Sequence, residues 1–268
     1  MIRIAFVITA LALLTVALLP FQLIGLAFDF PLQRTIPHLY HRAICALAGV
    51  RIREIGRRSE VAPTLFLSNH VSWLDICMIS ALTPVVFVSK SEVATWPMFG
   101  WLARLQRTIF IDRQARLQTG VATGEIGDRL LNGDCVVLFA EGTSSDGIRI
   151  LPFRSALIGG VHRALSGLSH HEAIAVQPVS LAYVAFNGLP VGRAFRHRIA
   201  WYGSADLIPH LIGLLSAGAV DVTVSWGDPR PMGLSADRKQ VARDAERSVR
   251  QMTAAAMVQG ARAAIQAR

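Results

Sequence analysis

The chain has 268 residues, 52% of them apolar and only 17% charged, with 27 Lys+Arg against 18 Asp+Glu for a net charge of +9. This excludes a disordered chain, which would be polar and charge-dense. Cys45, Cys77 and Cys135, with no CxxC pair among them, exclude a disulfide scaffold and argue against a cysteine zinc site. The cationic excess, all arginine except Lys90 and Lys239, calls for an anionic partner: nucleic acid, anionic lipid headgroups or an acidic carrier protein.

The apolar excess is concentrated at the start. In residues 4–28 the only polar side chains are Thr9, Thr15 and Gln22. As a helix, that run reaches about 37 Å, enough for a hydrocarbon core of about 30 Å. Pro20 lies inside it and is expected to kink it. The run is read as a retained membrane anchor, either a single tilted span or a segment that bends near Pro20 and returns. It is too long for the apolar part of a secretion signal, and no A-x-A site directly follows it.

Residues 34–49 carry Ile36, Leu39, Tyr40, Ala43, Ile44 and Leu47 at helical spacing, with Pro37 suited to the first turn. Arg34, His38, His41 and Arg42 lie among them, and Arg51, Arg53, Arg57 and Arg58 follow. Such a helix suits the membrane interface, or equally the surface of a core, because periodicity does not separate the two. The basic cluster beside the anchor predicts a cytoplasmic side.

From residue 61 short apolar runs alternate with longer helical stretches. Strands are expected over 64–68, 85–89, 108–112, 135–140, 174–181, 199–202 and 220–226, and helices over 73–81, 114–131, 155–165 and 235–264. Several of the strands read as continuously apolar, hence covered on both faces. The fold class expected is α/β: a central, mostly parallel sheet flanked by helices, with an N-terminal membrane-anchoring segment. Residues 1–60 form that extension, and 61–268 a single domain of catalytic size.

Two polar clusters sit where apolar strands end. Leu65-Phe66-Leu67-Ser68 runs into Asn69-His70-Val71-Ser72-Trp73-Leu74-Asp75. His70 has the right intrinsic pKa to take a proton from a hydroxyl, and Asp75, in the first helical turn, can orient its ring. The plainer reading makes Ser72 a helix cap and His70 a satisfied core residue. The second cluster is Phe139-Ala140-Glu141-Gly142-Thr143-Ser144-Ser145-Asp146-Gly147. Its carboxylate, hydroxyls and glycine-freed amides suit acceptor positioning and oxyanion binding; its composition equally suits an ordinary turn. Between the clusters, Arg107 and Arg113 bracket a strand, either as anion contacts at its rim or as solvated ends.

Together these residues carry a resemblance. His70 and Asp75 resemble the H-x4-D motif of the glycerolipid acyltransferases, the PlsC-like superfamily. The stretch from Arg107 to Arg113 resembles the family's second motif, Glu141-Gly142-Thr143 its third, and Val176-Gln177-Pro178-Val179-Ser180 its fourth, in the family's order. The resemblance implies a base in His70, an orienting carboxylate in Asp75, and acceptor binding near Arg113, Glu141, Gly142 and Thr143. It implies transfer of a fatty acyl group from a thioester on acyl-carrier protein or coenzyme A to a lysolipid hydroxyl, at a bacterial-type inner membrane, with neither metal nor cofactor. The partners expected are the membrane lipid acceptor and an acidic carrier protein, not nucleic acid, for which no binding motif is present.

The third motif departs from the family pattern. Its usual Pro is Ala140, and its usual Arg, associated with the acceptor phosphate, is Ser144. The stretch continuing through Leu151-Pro152-Phe153-Arg154 is similar to the branch that includes lyso-ornithine lipid acyltransferases, whose acceptor is a hydroxy-fatty amide of an amino acid without phosphate. On that reading Asp146 meets a headgroup amine. Against it, Arg149 and Arg154 are placed to replace the missing arginine, so lysophosphatidate acylation stands as the alternative. A metal at His170-His171-Glu172 is disfavoured because adjacent side chains diverge.

Overall fold

The computed structural model describes residues 2–61, 63–112, 118–167, 174–203 and 205–266. Two helices open the chain, α1 (Ile2–Ala27) and α2 (Leu32–Ala48). There follow β1 (Val50–Ile55), β2 (Thr64–Ser68), α3 (Leu74–Leu82), β3 (Val86–Lys90), a 3-10 turn (Ser91–Thr95), α4 (Phe99–Leu105), β4 (Ile109–Ile111), α5 (Gln118–Leu131) and β5 (Val136–Phe139). The chain continues with α6 (Gly159–Leu165), β6 (Ile174–Phe186), β7 (Leu189–Pro190), α7 (Arg193–Ile199), α8 (Leu207–Ala217), β8 (Val220–Trp226), β9 (Arg230–Met232) and α9 (Arg238–Gln266).

The strands form one sheet in the order β1-β8-β6-β2-β5-β3-β4, with β7 and β9 pairing β6. Pairings are parallel except those of β6 with β7, β8 and β9. Every residue of β2 and β5 is buried, as continuous apolar central strands require. Their side chains alternate between two cores. Leu65, Leu67, Val136 and Leu138 face α5, α6 and α9. Phe66, Val137 and Phe139 face α3 and α2. Pro178 sits in the interior strand β6, where a proline costs a ladder hydrogen bond. It falls between the end of β8 at Val179 and the start of β9 at Val176, where its carbonyl accepts the Gly227 amide.

Strand order locates the site. From β2 the chain passes through α3 to β3, on one side of β5; from β5 it passes through α6 to β6, on the other side of β2. The two connections diverge, α3 over one face and α6 over the other. The C-terminal ends of β2 and β5 therefore flank a topological switch point, the crevice where open α/β sheets bind ligands.

Several expectations are corrected. Residues 199–202, expected as a strand, are the end of α7 and the irregular chain after it; there the Trp201 amide donates to Val71 rather than into a ladder. The helix expected over 155–165 begins at Gly159. The helix expected from 114 is described from Gln118, its first residues lying outside the described set. The chain does not turn back near Pro20: α1 runs unbroken to Ala27, and the reversal comes over residues 28–31, with Asp29 at φ 53°. There α1 and α2 approach closely, and a Cβ on Gly25 would stand 2.7 Å from the Gln33 amide nitrogen. The α2 stripe is partly polar. His41 is buried, its Nδ1 2.9 Å from Ser80 Oγ on α3, and burial drives its pKa down to about 4. β1, read from sequence as a basic cluster, is an edge strand: Arg51 lies in register with Asp221 and binds it through two nitrogens.

Arg107, expected at a solvated or anion-binding strand end, is internal. Both its terminal nitrogens bind the Asp134 carboxylate, at 2.9 and 2.6 Å, and Arg34 of α2 reaches the same carboxylate at 2.9 Å. This cluster ties α2 to the sheet. Removing one member of a buried ion pair strands the other charge in low dielectric. Asp134→Ala is therefore expected to cost about 3–5 kcal/mol, read as a fall in the unfolding midpoint in detergent. The double variant Arg107→Met/Asp134→Leu is expected to recover most of that loss.

Candidate active site

The Asn69–Asp75 segment leaves the buried end of β2 and enters α3. Asn69 anchors it: its side-chain amide donates to the Leu181 carbonyl, and its side-chain oxygen accepts the Leu181 amide. Asp75 follows in the first turn of α3, fully buried. Its Oδ2 accepts the Val71 amide at 2.6 Å and the Ser72 amide at 2.9 Å. The carboxylate, not Ser72, thus folds this turn, and no side chain caps α3.

The same Oδ2 lies 2.8 Å from His70 Nδ1. The oxygen already accepts from two amides, so Nδ1 is the donor and carries the hydrogen. Nε2 is left with its lone pair free. The ring stacks on Phe139, with centroids 4.0 Å apart and planes at 14°, and its side chain keeps 16% exposure. One face is therefore held by β5 while an edge reaches the crevice. Asp75 Oδ1 accepts from the buried Tyr183 hydroxyl at 2.6 Å. Burial, with the Asp75 charge beside it, raises the Tyr183 pKa well above its ordinary value, so the hydroxyl stays a donor.

Glu141 follows β5, and both of its oxygens bind backbone. Oε2 accepts the His70 amide at 2.8 Å and Oε1 the Leu151 amide at 2.6 Å. The Ser145 amide donates to the His70 carbonyl at 2.8 Å. The loops after β2 and β5 are thereby clamped together across the crevice. Burial pushes the Glu141 carboxyl up to about 7, against the opposing pull of the two amides. Gly142 turns the chain at φ 76°, and a Cβ there would stand 3.1 Å from Arg154 Cδ and Nε. Thr143 is exposed at the tip.

The structure thus brings His70, Asp75, Glu141, Gly142 and Thr143 to one crevice; Arg113 lies outside the described residues, as does His170-His171-Glu172. Sequence reasoning did not find Tyr183 as a partner of Asp75, nor Arg196, whose Nη1 donates to the Asp146 carbonyl at 3.3 Å. The one available signal for Tyr183 was a hydroxyl just past the expected end of an apolar strand. Burial raises all three thiol pKa values, that of Cys45 to about 12, so no cysteine is poised as a thiolate. Among the described residues no three His, Cys, Asp or Glu side chains are placed to hold a metal.

Residues 49–182 match the acyltransferase family. The chain is 45% identical to the lyso-ornithine lipid O-acyltransferase of Brucella abortus, over 96% of each chain. It is 39% identical to that of Rhizobium meliloti, over 94% of this chain and 86% of the relative. The crystal structure of the 1-acyl-sn-glycerophosphate acyltransferase PlsC from Thermotoga maritima superposes with a TM-score of 0.59 at 17% identity, over 92% of this chain and 96% of that one; this likeness shows the fold.

The Glu141 pKa carries a prediction. A carboxyl raised from 4.5 to about 7 on folding keeps a proton that the unfolded chain has lost. The stability it supplies is full below about 4.5 and is lost as pH rises to about 7. The thermal-midpoint advantage of wild type over Glu141→Gln is therefore expected to shrink across that window. A constant difference would show the carboxyl ionised throughout.

Proposed function

We propose that this chain, which belongs to the acyltransferase family, moves a fatty acyl group from an acyl-carrier-protein or coenzyme A thioester to the hydroxyl of a lysolipid, lyso-ornithine lipid before lysophosphatidate. The observation that carries the reaction is the His70–Asp75 pair, which leaves Nε2 as a free base at the switch-point crevice. Nε2 takes the acceptor's hydroxyl proton while the oxygen attacks the thioester carbon. The new C–O bond forms as the carbonyl becomes an oxyanion. Gly142 and Ser145 spend their amides on Phe139 and His70; we assign the amides between them, of Thr143 and Ser144, to the oxyanion. Collapse expels the thiolate, which takes the proton from the imidazolium. The step balances without a metal or cofactor, and Asp75 stabilises the imidazolium that forms.

For the acceptor, support comes from the relatives named above and from Ser144, where the family's arginine would meet a phosphate. Lyso-ornithine lipid offers a carboxylate and an ammonium instead. Asp146, whose Oδ1 accepts the Ile148 and Arg149 amides, is the carboxylate we assign to the ammonium. The lysophosphatidate reading draws on Arg154, packed against Gly142 in the same turn. α1 is long and apolar enough to cross a membrane, so the enzyme meets its acceptor in the lipid plane. The arginines after α2 support a cytoplasmic domain, and the +9 charge supports an acidic carrier protein as the donor's bearer.

Purified protein in mixed micelles, given acyl-carrier-protein thioester and each lysolipid in turn, is expected to acylate lyso-ornithine lipid with the higher kcat/KM. Turnover of lysophosphatidate alone would overturn the acceptor assignment. His70→Ala is expected to lower kcat by about a hundred- to ten-thousandfold; full retained activity would overturn the mechanism.

A further inference from the structure

A groove of about 410 Å³ opens beside the Glu141–Gly147 loop. Its apolar wall includes Ile148, Val184, Val191 and Met257, and Arg149, Arg196 and Arg250 also line it. The three arginines differ in what they are free to do. Arg250 is committed, donating to Glu246 at 2.6 Å and to the Ile150 carbonyl at 3.1 Å. Arg149 is exposed. Arg196, on α7, is half-buried, and among the described residues its side chain makes one hydrogen bond, the 3.3 Å contact to the Asp146 carbonyl. A guanidinium has five donors in a planar fork suited to a two-oxygen anion, so this is a cation with most of its capacity unused.

Arg196 lies against the end of the loop that packs on the residue after His70. A Cβ built on Gly147 would stand 3.6 Å from Arg196 Nη1 and 3.0 Å from both methyls of Val71, the residue after His70. Burial also lowers the Arg196 pKa, with Asp146 opposing, as expected for a cation held partly out of water. The groove therefore joins an apolar wall for a hydrocarbon chain to a guanidinium at the end of the Glu141–Gly147 loop, whose first residue binds the His70 amide.

We propose that Arg196 binds the headgroup carboxylate of the lysolipid acceptor, and so replaces at this subsite the phosphate contact that the family places at position 144. The inference rests on the lyso-ornithine lipid reading. In that acceptor a short amide link separates the carboxylate from the hydroxyl to be acylated, so anchoring one end at Arg196 directs the other toward His70.

The test compares lyso-ornithine lipid with its carboxyl methyl ester, in wild type, Arg196→Gln and Arg196→Lys. Wild type is expected to show a KM about tenfold or more higher for the ester, the loss of one charge-assisted contact. Arg196→Gln is expected to raise KM for the free acid by a similar factor, to lose discrimination between acid and ester, and to keep kcat and donor KM within about twofold. Arg196→Lys is expected to recover part of the discrimination. Equal wild-type KM for acid and ester overturns the assignment without any variant. So does a raised donor KM, which would place the donor's phosphate at Arg196, or a matched fall in kcat on both lysolipids with a lower melting midpoint, which would make the role structural. If wild type acylates lysophosphatidate and neither lyso-ornithine substrate, the acceptor reading itself falls, a result visible before any substitution at Arg196.

Discussion

The site is organised around one carboxylate that has no contact with water. Removing an ion from water costs several kcal/mol, and a buried carboxylate is tolerable only where donors saturate it. Asp75 takes two amides, an imidazole N–H and a phenol hydroxyl. Each donor constrains a different part of the molecule. The amides fix the turn from β2 into α3; the imidazole fixes the tautomer of His70; the phenol requires β6 to run on to Tyr183, past the stretch where it pairs with β2. A change at any donor is therefore felt at the imidazole.

A second carboxylate answers the topology. At a switch point two loops leave the sheet in opposite directions, which opens the crevice and removes the packing that would hold the loops together. Glu141 restores the connection through the His70 and Leu151 amides, and Asn69 holds the other side through Leu181. The two carboxyl groups differ in solvation. Asp75 has four donors; Glu141 has two, and burial outweighs them. The first suits a permanent counter-charge, the second a structural clamp.

The dyad was legible in the sequence because strand end, base and orienting carboxylate all lie within one local turn, and local spacing is what a sequence displays. Tyr183 touches Asp75 across 108 positions, and no periodicity encodes such a contact. Arg196 was visible only as one of several arginines near residue 195. The missed β1 strand shows another limit: in Val50-Arg51-Ile52-Arg53 the alternation of an edge strand coincides with a basic run beside an anchor, and charge drew the reading. Residues 199–202 failed for the opposite reason. Ile199, Trp201 and Tyr202 carry strand propensity, but Ile199 closes a helix and Trp201 donates to the β2–α3 turn, so tertiary contacts overrode local preference.

The arginine excess divides by location. Arg34 and Arg107 converge on one buried aspartate, while Arg51, Arg247 and Arg250 pair acidic neighbours at the surface. Such pairs cancel cation against anion one for one, so the net +9 resides on arginines outside them. Arg154 and Arg196 lie at opposite ends of the Glu141–Gly147 loop, against Gly142 and Gly147. Neither glycine has a side chain to keep a guanidinium away, and both have positive φ, so the loop's backbone conformation itself brings the arginines in. On the proposed reading, with Ser at position 144, anion recognition passes from within the loop to residues packed on it. Acceptor preference can then change through Arg154 or Arg196, neither of which touches the His70–Asp75–Tyr183 network.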